Sequence, residues 1–422
     1  MVPKGWKEGK VKDLVKSLNA GVSVNSEDDG NTNSEFKILK TSCVSNGVFQ
    51  PEKAKSVVES NEISRLKEPV KADSIIISRM NTPALVGANG YVENEITNSF
   101  LPDRLWQVKP RDNKVNMKWL GYWFSSSHTR YALSSTATGT SGSMKNITKP
   151  DVLNIKIDIP PLLEQQKIVK ILSTWDKAIS TTERLIENST QQKKALMQQL
   201  LTGKKRLLDD DGKRFAGEWE VVKLQSVLDL MRSGLSRKLE NDNVGIAVIR
   251  SNNMGSKYTS NVDLKYWYLD DPQGANVSNY ILDDGDLLVN FINSLSQIGK
   301  ACIYRKNLDI DAIYTTNILR IKPNTDKVDP IYLYLLTQTA NYDSYITSIT
   351  KPAVNQASFT TKEFGNLEFN LPSLKEQQKI ATVLINADKE IELLEQQLAD
   401  LQQEKKALMQ VLLTGKVRVV VE

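Results

Sequence analysis

The chain has 422 residues, 40% hydrophobic and 25% charged, with 55 Lys+Arg against 50 Asp+Glu and a net charge of +5. Such a length exceeds one ordinary core and predicts two or more domains, and the composition excludes a disordered or fibrous chain. No apolar run approaches the roughly 18 residues of a membrane span, and the two cysteines, Cys43 and Cys302, support neither a disulfide framework nor a cysteine zinc site.

In chain order, residues 1–158 read as a β-rich domain. Its start, Met1-Val2-Pro3-Lys4-Gly5-Trp6, lacks a signal-peptide core, so no membrane association and a cytoplasmic location are expected. Short runs such as Phe36-Lys37-Ile38-Leu39 and Ser74 to Ser78 alternate with loops of Ser, Asn, Thr and Gly, and Met117 to Phe124 is the clearest helical pattern. Residues 159–208 read as one long helix. Pro160 and Pro161 stand where a missing N–H costs little, and Gly203 follows the last leucines as a cap. Alternate steps of four and three from Ile168 land on Leu172, Trp175, Ile179, Thr182, Ile186, Ser189, Lys193, Leu196 and Leu200, a heptad seam.

Residues 209–370 hold the acidic linker Asp209-Asp210-Asp211-Gly212-Lys213 and a second β-rich domain, with strand-like Ala247-Val248-Ile249-Arg250 and Ile318-Leu319-Arg320-Ile321 and helical Ile331 to Leu336. Residues 371–422 hold a second helix and a tail. Its seam runs Ile380, Leu384, Ala387, Ile391, Leu394, Leu398, Leu401, Lys405, Leu408 and Leu412, and Gly415 closes it. Each helix of about 40 residues spans roughly 60 Å at 1.5 Å per residue.

The second helix repeats the first. Pro160-Pro161-Leu162-Leu163-Glu164-Gln165-Gln166-Lys167-Ile168 recurs as Pro372-Ser373-Leu374-Lys375-Glu376-Gln377-Gln378-Lys379-Ile380, and Leu200-Leu201-Thr202-Gly203-Lys204 recurs as Leu412-Leu413-Thr414-Gly415-Lys416. The spacing is 212 residues at both ends, from 160 to 372 and from 204 to 416. Loops tolerate insertion and a helix face on a partner does not, so an ungapped repeat predicts paired helices. Trp6 and Trp219, Asp73 to Ile77 and Asp286 to Val289, and Ile147-Thr148 and Phe359-Thr360 extend the repeat outside the helices. The expected fold class is α+β: two β-rich domains joined by two long helices in an antiparallel coiled coil, an internal tandem repeat with pseudo-two-fold symmetry. With Ile168 facing Leu412, Lys405 falls across from Trp175 and covers its ring, while Lys193 falls across from Ala387 and snorkels to water. A register one heptad away sets them against Thr182 and Leu394.

Catalytic chemistry is scarce. His128 is the sole histidine, which removes a histidine metal pair and a Ser-His-Asp hydrolase. Gly203-Lys204 and Gly299-Lys300 lack the rest of a phosphate loop, and Asp270-Asp271 and Asp283-Asp284 read as solvated turn residues rather than metal ligands. What the domains do carry is loops dense in the donors and acceptors that read base edges and grip phosphates. The first domain offers Lys40, Thr41, Ser78, Arg79, Asn81, Thr140, Ser141, Ser143 and Lys145. The second offers Arg237, Lys238, Arg250, Asn252, Asn290, Asn293, Ser294, Lys351, Asn355 and Gln356.

Two β-rich halves, each closed by a helix that starts at Glu-Gln-Gln-Lys-Ile and ends at Leu-Leu-Thr-Gly-Lys, resemble the DNA-specificity subunit of type I restriction-modification systems over essentially the full length. The resemblance implies two target recognition domains, 1–158 and 209–370, each reading one part of a split, asymmetric site in double-stranded DNA. It implies that the helices, 159–208 and 371–422, dock two methyltransferase (modification) subunits and, with them, restriction/translocase subunits. Catalysis then resides in those partners, with S-adenosylmethionine, ATP and magnesium bound there and no cofactor here. One departure is the second domain, where residues 214–371 carry 16 Lys+Arg against 18 Asp+Glu. The competing readings are a purely structural coiled-coil scaffold, which leaves the matched polar loops unused, and a nuclease built on the Asp pairs.

Overall fold

A computed structural model describes residues 2–28, 34–45, 47–139, 143–354 and 356–420. The chain divides into two compact units, Met1–Arg184 with Gln396–Glu422, and Leu185–Glu395. In the first, a four-stranded antiparallel sheet has the order Val15–Ala20, Leu105–Pro110, Ser74–Ser78, Asn89–Val92. In the second, Leu228–Ser233, Ile318–Pro323, Leu287–Asn290 and Ala301–Ile303 take the same order. A three-stranded sheet accompanies each, centred on Lys37–Leu39 and on Ile246–Ile249. Sheet residues Ser74–Ser78 are all buried, because helix Met117–Ser125 covers one face with Trp119, Leu120 and Phe124 while Leu39, Val44 and Leu101 fill the other side. Pro330–Leu336 does the same in the second unit with Tyr332, Leu333 and Leu335.

Each globular domain is closed at the root of its long helix. Lys7–Lys10 pairs with Lys156–Ile159, and Glu220–Lys223 with Glu368–Leu371, so the first strand is hydrogen-bonded to the strand that leads into the helix. The helices then run Leu162–Leu200 and Leu374–Leu412. The Glu-Gln-Gln start is a docking device as much as a helix start. Gln165 Nε2 donates to the Pro160 carbonyl (2.9 Å) and its Oε1 accepts from Asn116 N (2.8 Å); Gln377 repeats both contacts with Pro372 (2.8 Å) and Asp329 N (2.9 Å). Glu376 accepts two guanidinium bonds from Arg206, at 2.6 and 2.7 Å, and one from Trp219 Nε1 at 3.2 Å. Glu164 accepts the equivalent set from Arg418, both at 2.7 Å, and from Trp6 at 3.0 Å. All four motif side chains are buried, where an unpaired polar group is costly.

The two long helices pair antiparallel as a coiled coil. In the first unit Ile168 and Leu172 share a core with Leu408 and Leu412; in the second Leu196 and Leu200 share one with Ile380 and Leu384. The other seam residues, Trp175, Ile179, Ile186, Ile391, Leu394, Leu398 and Leu401, are half-buried, as expected where two helices cover only each other. The expectation for the seam lysines needs correction. Lys405 ion-pairs with Asp176 and lies over the Tyr122 ring rather than Trp175, and Lys193 ion-pairs with Asp388 rather than passing Ala387 to water. Both partners are next to the residues of the first register, and neither is near Thr182 or Leu394 of the shifted one.

Candidate nucleic-acid interface

In each domain some of the polar loops meet beyond the third strand of the four-stranded sheet. Beyond Ser74–Ser78 the chain forms Met80–Asn81, which pairs with Lys145–Asn146; beyond Leu287–Asn290 it forms Ile292–Asn293, which pairs with Ala357–Ser358, itself paired with Lys351–Pro352. A compact turn follows in each domain, and the two turns carry matching hydrogen bonds. Asn81 Nδ2 donates to Ser78 Oγ (3.2 Å) and Asn293 Nδ2 to Asn290 Oδ1 (3.2 Å). Asn81 Oδ1 accepts from Thr82 N (2.9 Å) and Asn293 Oδ1 from Ser294 N (2.8 Å). Gly87 N returns to Ser78 O and Gly299 N to Asn290 O, both at 2.7 Å, with φ of +73° and +78° that glycine tolerates at little cost. Arg130 ties the first turn down, donating to Val86 O (2.7 Å) and Ala84 O (3.1 Å). Tyr342 holds the second through one bond to Gly299 O (2.7 Å).

Several expected contact residues are scaffold. Ser78 and Asn290 are buried and Asn81 nearly so, their polar atoms spent inside the turns, and Asn293 is half-buried for the same reason. Arg237 is locked to Asp271, whose side chain is fully buried and which also accepts from Trp267 Nε1 (3.1 Å) and from the N–H groups of Gln273 and Ala275. The Arg237 bond above all holds that carboxyl far below the usual range. Asp271 is therefore a loop organiser, not a solvated turn residue. Asp283 and Asp284 are exposed, as expected, and carry ion pairs there, Asp283 with Lys322 (2.6 Å) and Arg320 (3.0 Å), and Asp284 with Arg305 (3.0 Å); among the described residues no acidic or histidine cluster could hold a metal.

Others reach the surface. Lys238, Asn252, Ser294, Gln356 and Ser143 are exposed, and Thr41 and Lys145 are half-buried. Thr140, Ser141 and Asn355 lie outside the described residues. Three cations carry internal partners: Lys40 with Asp28 (2.5 Å), Arg250 with Asp263 (2.9 Å), and Lys351 with Glu363 (2.9 Å). Lys351 and the Thr360 hydroxyl hold the Glu363 carboxyl down at about 2. Arg79 is the loosest, its Nη2 standing 3.8 Å from Asp103 and its Nε buried without a partner. His128 is exposed on helix Ser127–Thr136, and the Cys43 and Cys302 thiols are buried, which pushes both up to about 12.

This architecture, two matched domains with unlike residues on identical turns, coincides with a known family. The model of the type I restriction modification DNA specificity domain matches twice, over residues 3–189 and 216–403. The chain belongs to this specificity family. The MjaVIII specificity subunit of Methanocaldococcus jannaschii is 25% identical across 99% of this chain and 94% of its own. The EcoKI specificity subunit of Escherichia coli is 23% identical across 90% and 81%. A putative MjaX specificity subunit, also from M. jannaschii, reaches 32% but spans only 47% of this chain and 46% of its own. Among solved structures, the HsdS subunit of Thermoanaerobacter tengcongensis has the same fold over 99% of this chain and 98% of that one, with a TM-score of 0.51 and 18% identity. The type I S subunit of M. genitalium covers 98% and 99% with a TM-score of 0.56 and 14% identity.

As a type I specificity subunit, the chain recognises DNA, and the matched turns are its candidate reading heads. Sequence reasoning missed Arg130 and Tyr342, whose bonds to backbone carbonyls fix those turns. A signal existed: they stand 212 residues apart, on short helices whose counterparts also align.

Proposed function

We propose that this specificity subunit reads a bipartite, asymmetric site, one part per recognition domain, and directs the modification and restriction subunits that carry out methylation and cleavage. The observation that carries the reading is the pair of turns at residues 82–87 and 294–299, built on the same hydrogen bonds but presenting Pro83-Ala84 in one domain and Leu295-Ser296 in the other. The same scaffold with different surface groups reads two different sequences, since base identity is decided by the side chains that reach the groove. Thr41, Arg79, Ser143 and Lys145 of the first domain, and Lys238, Asn252, Ser294 and Gln356 of the second, are the contact candidates on this reading, with Lys40, Arg250 and Lys351 exchanging their carboxylate partners for phosphate. Two modification subunits dock on the repeated helices. S-adenosylmethionine, ATP and magnesium belong to the partners, and the complex works in the cytoplasm.

The test is a domain exchange. Replacing residues 1–155 with the equivalent domain of a related chain, followed by methylation mapping in cells that supply the modification subunit, is expected to change one part of the modified motif only. Simultaneous change of both parts refutes the reading, and S-adenosylmethionine turnover by the isolated chain refutes the division of labour.

A further inference from the structure

Two aspartates on the long helices each gather a lysine from the opposite helix and a third group from the recognition domain of the same unit. In the first unit Asp176 ion-pairs with Lys405 and accepts a hydrogen bond from the hydroxyl of Tyr122, which lies on the buried helix of the recognition domain. Lys405 Nζ also stands 5.5 Å from the centre of the Tyr122 ring, so the three groups close on one another. In the second unit the helices exchange roles. Asp388 ion-pairs with Lys193, and its other oxygen lies 3.3 Å from Nζ of Lys257, on a loop of the second recognition domain. Tyr334, 212 residues after Tyr122, donates instead to Ser256 O at 2.7 Å and so holds the loop that presents Lys257.

Charged groups at a coiled-coil seam lower stability relative to apolar ones and are retained where they select one arrangement. The side chains of Asp388, Lys193 and Lys257 are only 16%, 24% and 14% exposed, so each charge needs its partners in place. A shift of the recognition domain along or around the helix pair by one or two ångströms takes the third group out of range while leaving the interhelical pair intact. We propose that Asp176 and Asp388 are positioning residues: each fixes the seat of one recognition domain on the helix pair and, through it, the number of unread base pairs between the half-sites. This rests on the bipartite reading above. The two joints differ in kind. The first is closed by a phenol, whereas the second is held by two ammonium groups on one carboxylate, so its arm to the domain is an ion pair.

The experiment uses the complex with its modification subunits and duplexes whose spacer is the native length, one base pair shorter or one longer. Wild type, Asp388→Asn, Asp176→Asn and Lys257→Met are compared for methylation rate. Asp388→Asn and Lys257→Met are expected to cut the preference for the native spacer about tenfold, with discrimination against mismatches inside both half-sites unchanged. Lys257→Met leaves the Lys193–Asp388 pair and the Tyr334–Ser256 bond untouched, so it decides the matter even where an aspartate variant fails to fold. An unchanged spacer preference in Lys257→Met overturns the proposal, as does loss of half-site discrimination together with spacing, which marks a fold defect. If wild type modifies a continuous motif, the bipartite reading itself falls and the joint with it.

Discussion

Arg206→Ala tests whether the Glu-Gln-Gln helix start is a docking device. Arg206 supplies two of the three hydrogen bonds that Glu376 accepts from side chains, at 2.6 and 2.7 Å, and stacks over Trp219 with its guanidinium 5.5 Å from the ring centre. The Glu376 side chain is 1% exposed and that of Arg206 21%. Truncation leaves a buried carboxylate with one indole N–H, a defect that costs about 3–5 kcal/mol in a closed site. Partial exposure of Arg206 lets water reach the vacated space, which places the expectation near 3 kcal/mol. For a unit of this size each kcal/mol moves the midpoint by about 2–4 °C, so the thermal transition of the second unit is expected to fall by about 6–12 °C in scanning calorimetry. The double variant Arg206→Leu with Glu376→Met recovers most of that loss, since an apolar pair of similar volume avoids desolvating the charges. A shift below 2 °C for Arg206→Ala, or a double variant as unstable as the single, refutes the reasoning.

Arg130→Ala releases the Ala84 and Val86 carbonyls and is expected to lower mismatch discrimination in the first half-site by about 1–2 kcal/mol, with the second half-site unchanged in competition binding. Gly299→Ala is expected to destabilise the second unit by about 1–3 kcal/mol in denaturant unfolding, because φ is +78° there and a Cβ would stand 2.6 Å from Ile346. Acid should act through Glu164. Burial pushes its carboxyl up, but the Arg418 and Trp6 bonds outweigh that and leave it below the ordinary 4.5. A folded value below the unfolded one means the contribution is complete above pH 4.5 and is lost as pH falls through the lowered value. The first unit's melting midpoint is therefore expected to drop more steeply below pH 4.5 in wild type than in Glu164→Gln.

The sequence by itself determined the duplication and the two long helices with their apolar seams, because these depend on spacing, whereas the register was settled by the packing of Ile168 and Leu172 with Leu408 and Leu412. Ile168, Leu172, Ile380 and Leu384 recur at heptad steps, and the 212-residue offset survives from Pro160 to Lys204 without a gap; a face that must stay on a partner leaves its period in the chain. It also located strands such as Ser74–Ser78 and the turns that follow them, since alternation and glycine are local signals. Only the tertiary structure decided what individual polar side chains do. Ser78, Asn81 and Asn290 read as donors for DNA and are spent inside turns, Asp271 read as solvated and is a buried partner of Arg237, and Lys405, read as covering Trp175, and Lys193, read as snorkelling to water, are ion-paired to Asp176 and Asp388. A polar group's role is set by what lies within hydrogen-bond distance of it, and for Glu376 and Arg206 that neighbour is 170 residues away in the chain, a proximity that no local period records.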